Sequence, residues 1–261
     1  MKRGFNNKGQ VTIFIIAAVV VVAVGILIYI SYPQIRINLG IESQNPAEYI
    51  QSCISEDIVD SVNKLSIQGG SLEPSHYIVY NNQKIEYLCY TSEYYKTCVV
   101  QQPMLKRHIE KEVKADIEDK VKTCFDDLEE SYQKKGYEVN LRYGDFDVEL
   151  LPKRIAVTFN NSITLTKESS ETYDSISAMV NNNLYELVSI TNSIINWETS
   201  YGDAETTTYM NYYHDLRVEK KLQSDGTTIY VLTDLNNGNK FQFASRSVAW
   251  PPGYGIDEVL G

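Results

Sequence analysis

Apolar residues recur at every third or fourth position in three stretches of the chain, which is the spacing of one helix face. The first stretch follows Asn45-Pro46-Ala47-Glu48, a helix-start signal, and ends at Gly69-Gly70. The second follows Pro103, ends at Gly136 and has a densely charged opposite face. The third runs over roughly Ser170–Trp197. The pattern therefore predicts three amphipathic helices.

Shorter stretches between and after these helices alternate apolar and polar residues, as a half-buried strand does. Turn residues such as Asn81-Asn82, Asn160-Asn161 and Asn236-Asn237-Gly238 separate them. The predicted strands are His76–Tyr80, Lys84–Tyr90, Tyr137–Arg142, Asp145–Leu151, Arg154–Asn160, Ser162–Thr166, Leu216–Leu222, Thr228–Thr233 and Lys240–Arg246. Amphipathic helices packed on antiparallel sheet make an α+β fold the expected class.

The start of the chain has a different pattern, a basic head followed by an apolar run. The head carries Lys2, Arg3 and Lys8, whereas Val11–Tyr32 holds no charge. A helix of about 22 residues spans roughly 33 Å, enough for the hydrocarbon core of a bilayer. The sequence therefore predicts an N-terminal transmembrane helix in contact with the lipid bilayer. The charge bias predicts a single-pass membrane protein with a cytoplasmic N-terminus and an extracytoplasmic C-terminal domain.

These features predict the following order along the chain: a basic head over 1–10, a transmembrane helix over 11–32, a linker over 33–44, an α+β domain over 45–248 and an extended tail over 249–261. A boundary inside the large domain, near 166–170, and one composite domain are both compatible with the sequence. The length of the large domain allows either organisation.

The segment Lys8-Gly9-Gln10-Val11-Thr12, with the apolar run after it, resembles the type IV pilin-like (class III) signal of archaeal surface proteins. The resemblance implies cleavage after Gly9 by a prepilin peptidase, which makes Gln10 the new N-terminus. The same KGQVTIFI start, followed by a cysteine-containing helix that ends in QGG, also resembles a group of uncharacterised membrane proteins from small-genome archaea. A pilin-like subunit assembled through its N-terminal helix and a simple signal anchor are both open interpretations.

Charge and cysteine content narrow the classes of partner and compartment. The formal net charge is −10, and phosphate binding needs a basic surface, so no nucleic-acid partner is expected. In an exterior domain an even number of cysteines favours disulfides. Four cysteines allow three pairings, and the sequence does not choose among them; one arrangement joins Cys89 to Cys98 across strands and Cys53 to Cys124 between helices. A zinc site is the alternative.

Candidate chemistry is sparse. Asp145, Asp147 and Glu149 alternate with apolar residues and would line one strand face at intervals of roughly 7 Å. Such a row can bind calcium or supply paired acid and base groups, although any strand with one face in water alternates in this way. No metal-binding histidine spacing, nucleophile elbow, phosphate loop or dinucleotide fingerprint occurs in the sequence. Neither a cofactor nor an enzyme activity is therefore predicted.

Two clusters of tyrosine stand out among the twenty in the chain: Tyr87, Tyr90, Tyr94 and Tyr95, and then Tyr209, Tyr212 and Tyr213. Exposed tyrosine suits protein or glycan recognition, whereas buried tyrosine packs across strands. The function predicted first is a non-enzymatic cell-surface protein that binds an envelope or surface protein partner or contributes to a surface structure. The alternatives are a pilin-like subunit and an anchored carbohydrate- or solute-binding module or enzyme.

Overall fold

The computed structural model describes residues 19–22 and 45–249. The chain forms two compact units, residues 1–45 and residues 46–261. In the first unit, Val19–Val22 are helical. The second unit is an α+β domain, and this part of the predicted fold class is confirmed. The predicted tail from Trp250 onward, the basic head and the Gly9-Gln10 junction lie outside the described residues.

The predicted N-terminal transmembrane helix is contradicted. Among the residues that the structure describes, none of the helices combines the length and the apolar character needed to cross a membrane. Only Val19–Val22 of the predicted span over 11–32 belong to that set, and the remainder of the span lies outside it. The expected fold class with a transmembrane helix, and the single-pass localisation in a bilayer, are corrected accordingly. The helix was inferred from the uncharged apolar run and the localisation from that run together with the basic head, and neither pattern by itself establishes a spanning helix.

The second unit contains four helices and ten strands within residues 45–249. The helices are α1 (Pro46–Ile67), α2 (Leu105–Lys134), α3 (Leu184–Tyr201) and α4 (Thr207–Tyr212). The strands are β1 (Tyr77–Tyr80), β2 (Gln83–Tyr90), β3 (Val99–Val100), β4 (Glu138–Arg142), β5 (Phe146–Leu151), β6 (Arg154–Thr166), β7 (Ser170–Asn181), β8 (Leu216–Leu222), β9 (Thr227–Asp234) and β10 (Lys240–Arg246).

The two long helices, α1 and α2, form as the apolar spacing predicts. Ile50, Ile54 and Ile58 of α1 are completely buried, as one face of a helix packed on a core should be. The left-handed φ angles of Gly69 and Gly70, +85° and +97°, let the chain turn away after α1. The two helices contact each other; α1 packs on β7 and β10, and α2 packs on β4 and β5.

The larger sheet has six strands in the order β1-β2-β10-β9-β8, with β3 added to β2. The β8, β9 and β10 meander and the β1-β2 hairpin match the predicted turns at Asn236-Asn237-Gly238 and Asn81-Asn82. The sheet differs from the antiparallel prediction in one respect, because β10 lies parallel to β2. This pairing brings β10 beside the first hairpin, a contact between distant segments that local patterns do not reveal.

The smaller sheet is centred on β6, which pairs with β7 along one edge and with β4 and β5, end to end, along the other. The predicted turn at Asn160-Asn161 is wrong, because the register of β6 shifts there without a reversal of the chain. Gly144 lies opposite, and a Cβ atom at this position would lie 2.3 Å from the carbonyl oxygen of Asn160. The glycine therefore permits the close approach where β4 gives way to β5.

The predicted third helix begins too early. Residues 170–181 form β7, which is a strand paired with β6, and α3 starts only at Leu184. Ile176 and Ala178 are buried on one face of β7. Ser175, which precedes them, and Ser177, which lies between them, are not buried. The candidate domain boundary at 166–170 is the turn of this hairpin, since Thr166 pairs with Ser170.

Candidate functional site

A groove of about 820 Å³ lies where the start of α3 meets three loops. The loops are the β5-β6 turn, the β9-β10 turn and the segment that enters β8. Six asparagines line it: Asn181, Asn182, Asn183, Asn236, Asn237 and Asn239. Tyr185, Tyr213, Leu187, Ile190 and Leu216 add aromatic and apolar surface. We call this cavity the asparagine groove, and its volume is typical of a small-molecule site.

A hydrogen-bond network fixes three polar side chains of the groove. The Asn183 amide Nδ2 donates to Asp234 Oδ2 at 2.5 Å, and Asn239 Nδ2 donates to Asn183 Oδ1 at 2.7 Å. Asp234 also accepts a bond from the backbone N–H of Asn236 through Oδ1 at 2.7 Å. These bonds join the start of α3 to the β9-β10 turn, so the walls of the groove are held in one arrangement.

Local sequence explains why both walls have this shape. Asn182 Oδ1 accepts the backbone N–H of Leu184 at 2.8 Å, and this bond marks the change from β7 to α3. On the other wall, Gly238 has a φ of +77° and donates its N–H to the carbonyl of Asp234 at 2.8 Å. Asparagine side chains stabilise turns by bonding to nearby backbone groups, and glycine tolerates a positive φ. These residues therefore occur at the β7-α3 junction and in the β9-β10 turn.

Other polar groups of the groove are available to a ligand. The side chains of Asn181 and Asn236 are exposed and make no hydrogen bond to residues within 45–249. Glu186 accepts the backbone N–H of Lys153 through Oε1 at 3.0 Å. Its other oxygen, Oε2, is buried and has no hydrogen-bond partner among those residues. A buried acceptor without a donor is costly, so Glu186 lowers the stability of this wall of the groove.

The three carboxylates singled out in the sequence lie elsewhere. Asp147 and Glu149 are exposed on the solvent face of β5, and neither they nor Asp145 line the asparagine groove. A hydrogen bond from Lys114 lowers the pKa of Asp145, whose carboxylate forms a 2.7 Å ion pair with that lysine. In the part of the chain that the structure describes, no group of three or more His, Cys, Asp or Glu side chains is placed to hold a metal ion.

A serine, a histidine and a glutamate also meet beneath α2, although the sequence gave no sign of it. Ser71 Oγ lies 2.7 Å from His108 Nε2, and the Ser71 hydroxyl also donates to Glu86. A hydrolytic triad needs the histidine between the nucleophile and the acid, whereas here the serine lies between the other two. Ser71 and Glu86 are buried, and burial raises the pKa of Glu86. We interpret this cluster as an internal hydrogen-bond network.

Glu198 of α3 is the most deeply buried carboxyl group among residues 45–249, with 2 % of its surface exposed. Oε1 accepts the Tyr230 hydroxyl at 2.5 Å and the Ala204 N–H at 3.0 Å, and Oε2 accepts the Ser245 hydroxyl at 2.7 Å. Burial raises the pKa of Glu198 to about 7, although the bonds from Tyr230 and Ser245 oppose that shift. The group joins α3 to β9 and β10 inside the core.

All four cysteines form disulfides, Cys53 with Cys124 and Cys89 with Cys98. The first joins α1 to α2, and the second joins β2 to the segment before β3. The prediction of disulfides is therefore confirmed, and a zinc site on these cysteines is excluded because their sulfur atoms are bonded to each other.

The tyrosine clusters divide between packing and exposure. Tyr87 is buried, whereas Tyr94 and Tyr95 of the same cluster are exposed. In the second cluster Tyr212 and Tyr213 are exposed, and Tyr213 lines the asparagine groove.

The groove itself was not predicted. Asn181, Asn182 and Asn183 fell inside the expected third helix, and Asn236 and Asn237 were interpreted as a turn only. Three consecutive asparagines are nevertheless a poor helix interior and a good helix start, and this signal was present in the sequence. Comparisons of this chain with protein-family models, with curated proteins and with solved structures find no match.

Proposed function

We propose that the domain over 46–249 is a binding module for a neutral, hydroxyl-rich ligand of carbohydrate chemistry, held in the asparagine groove. The observation that carries this proposal is the convergence of six asparagine residues from two separate segments on one cavity. A primary amide offers both donors and an acceptor, which matches the mixed donor and acceptor character of sugar hydroxyls.

The charges of the groove favour a neutral ligand over an anionic one. Glu186, Asp215 and Asp234 line it together with one cation, Lys153. The excess of carboxylates repels phosphate or carboxylate groups, whereas carboxylate oxygens accept strong hydrogen bonds from hydroxyls.

The remaining wall supplies a non-polar surface beside the polar groups. Tyr185 and Tyr213 present rings with a polar tip, and Ile190 adds aliphatic surface. Tyrosine provides large contact area at low cost in side-chain entropy, which suits the apolar faces of sugar rings. The Asn183-Asp234-Asn239 network keeps the polar groups in place before a ligand arrives, and such preorganisation lowers the entropic cost of binding.

Calorimetric titration of the full chain with linear neutral oligomers of glucose, mannose and N-acetylglucosamine tests this function. We expect saturable binding of at least one oligomer, weakened about tenfold or more by Tyr213→Ala and by Asn236→Ala, which are both exposed groove residues. Tyr94→Ala, an exposed tyrosine outside the groove, is the matched control and should bind like wild type.

Absence of saturable binding across this panel, or equal binding by the groove variants and wild type, would reject the proposal. Binding of a protein partner to the exposed tyrosines, which the sequence suggests, stays a separate prediction. The envelope or surface protein partner expected from the sequence has no further support in the geometry of the groove, so carbohydrate chemistry is preferred.

A further inference from the structure

A second recess, of about 410 Å³, lies at the opposite end of β10 from the asparagine groove. β10 begins at Lys240, directly after Asn239 of the groove, and ends at Arg246, which lines the second recess. A strand rises about 3.4 Å per residue, so the two sites are separated by about 20 Å along β10. The recess is also lined by His76, Tyr77, Tyr87, Tyr90, Ser92 and Asp225.

The guanidinium group of Arg246 is held in the recess by backbone carbonyls. Nε donates to the carbonyl of Asp225 at 3.0 Å, and Nη1 donates to the carbonyl of Thr91 at 2.5 Å. Carbonyl acceptors fix the side chain without cancelling its charge. Within residues 45–249, Arg246 forms no salt bridge and its Nη2 has no acceptor, whereas Arg217 pairs with Glu219 at 3.1 Å.

The carboxylate of the recess is engaged by another residue. Asp225 Oδ1 accepts the backbone N–H of Thr227, and Oδ2 accepts the Thr227 hydroxyl, both at 3.0 Å. The acid therefore stabilises the β8-β9 turn, and it leaves the remaining guanidinium donors of Arg246 unpaired.

Aromatic rings fix the wall behind Arg246. The rings of His76 and Tyr87 lie 4.2 Å and 5.0 Å from the ring of Tyr90, measured between centroids. The guanidinium carbon of Arg246 lies 5.8 Å from the Tyr90 ring and 5.9 Å from the Tyr94 ring, within cation–π range. The guanidinium is thus positioned from several sides, and little side-chain entropy would be lost on binding.

We propose that this recess binds a small oxyanion, a carboxylate or phosphate group of a ligand, through the unpaired guanidinium donors of Arg246. The planar guanidinium presents parallel N–H groups that match the oxygens of such an anion. The Ser92 hydroxyl lines the same recess and can donate as well. The proposal is independent of the asparagine groove, because the two sites share no lining residue.

The test is a nuclear magnetic resonance titration of the isotope-labelled full chain with sodium acetate and, separately, with sodium phosphate. Ionic strength is held constant with sodium chloride. We expect at least one of the two anions to cause saturable shifts at the Arg246 side-chain Nε–H and at the Ser92 amide. If acetate and phosphate both fail to give saturable shifts at these groups, the proposal is wrong, and this result does not depend on any variant.

Three variants sharpen the assignment. Arg246→Gln should weaken anion binding about tenfold or more, whereas Arg217→Gln, on the exposed and paired arginine, should leave it unchanged. Asp225→Asn should strengthen anion binding about two- to fivefold, because it removes a like charge and keeps an acceptor for the Thr227 N–H. Wild-type affinity in a folded Arg246→Gln chain, or weaker binding in Asp225→Asn, would overturn the proposal.

Discussion

The four-stranded sheet packs the rings of Phe146 and Phe159 near Phe125 of α2, whereas the six-stranded sheet packs Tyr230 and Ser245 around the buried carboxyl group of Glu198. The region around Phe159 consists of closely packed apolar rings, so its contribution to the free energy of unfolding depends on how completely the side chains fill the space. The region around Glu198 contains buried polar atoms, and its contribution to stability depends on each atom keeping its hydrogen-bond partner. The two regions belong to one continuous hydrophobic core, but they tolerate different changes.

The same difference appears in what the two sheets offer to ligands. The outer face of β5 carries exposed carboxylates, and neither recess includes them. The six-stranded sheet has a recess at each end of β10. The six-stranded sheet therefore contributes residues to both recesses, whereas the four-stranded sheet contributes only to the asparagine groove, through Lys153 and Asn181.

Phe159→Ala should produce the largest change, because Phe159 is completely buried and touches two other phenylalanine rings. Removal of a buried phenylalanine ring lowers the free energy of unfolding by about 3–5 kcal/mol. Urea unfolding followed by circular dichroism measures the change. Thr158→Ala, on the exposed face of the same strand, is the control and should stay within about 0.5 kcal/mol of wild type. Equal free energies of unfolding for Phe159→Ala and Thr158→Ala would contradict a stability that depends on filling the apolar core.

The two disulfides should differ in their contribution to stability. Cys53 and Cys124 are separated by 71 residues, and Cys89 and Cys98 by 9. Chain-entropy estimates give losses of about 4 kcal/mol for the Cys53→Ala, Cys124→Ala double variant and about 2.5 kcal/mol for the Cys89→Ala, Cys98→Ala double variant. Urea unfolding without reductant compares them. A larger loss from the short loop would mean that the disulfide within the six-stranded sheet contributes by some means other than chain entropy.

The buried carboxyl group of Glu198 should make the stability of the domain depend on pH. The pKa of Glu198 is raised from 4.5 to about 7 by burial, so between these values the folded chain keeps a proton that the unfolded chain releases. The contribution of this group is present in full below pH 4.5 and is lost as pH rises through 7. The loss amounts to about 3 kcal/mol.

Glu198→Gln isolates this effect, since its amide can still accept from Tyr230 and donate to Ser245 Oγ but does not titrate. We expect wild type to lose stability relative to Glu198→Gln between pH 4.5 and pH 8, measured by urea unfolding at fixed ionic strength. A difference that stays constant over this range would show that the pKa of Glu198 is the same in the folded and the unfolded chain, and would contradict the expected shift.

Sequence patterns correctly predicted the elements that depend on residues close together along the chain. Apolar spacing and capping residues located α1 and α2, and turn chemistry located β9 and β10. β7 was mistaken for helix because residues four apart, such as Ile176 and Val180, share a face in both a strand and a helix. What decides for the strand is its pairing with β6, which is a contact between segments and has no local signature.

The sites were harder to predict for the same reason. Asn183 and Asn239 are 56 residues apart in sequence, yet their side chains are hydrogen-bonded. Arg246 and Thr91 are 155 residues apart, and their contact depends on the parallel pairing of β10 with β2. Both recesses depend on contacts between distant segments, so neither could be assembled from the spacing of residues along the chain.

The exposed tyrosines between Cys89 and Cys98 give the disulfides a consequence for proteolysis. Tyr94 and Tyr95 are 63 % and 77 % exposed, so this loop offers chymotrypsin a cleavage site. Both disulfides bridge such a cut, because Cys53 and Cys89 precede it and Cys98 and Cys124 follow it. The nicked protein should therefore migrate as one band on a gel without reductant and separate into two fragments only after reduction. A single cleavage in this loop therefore escapes detection on a gel run without reductant.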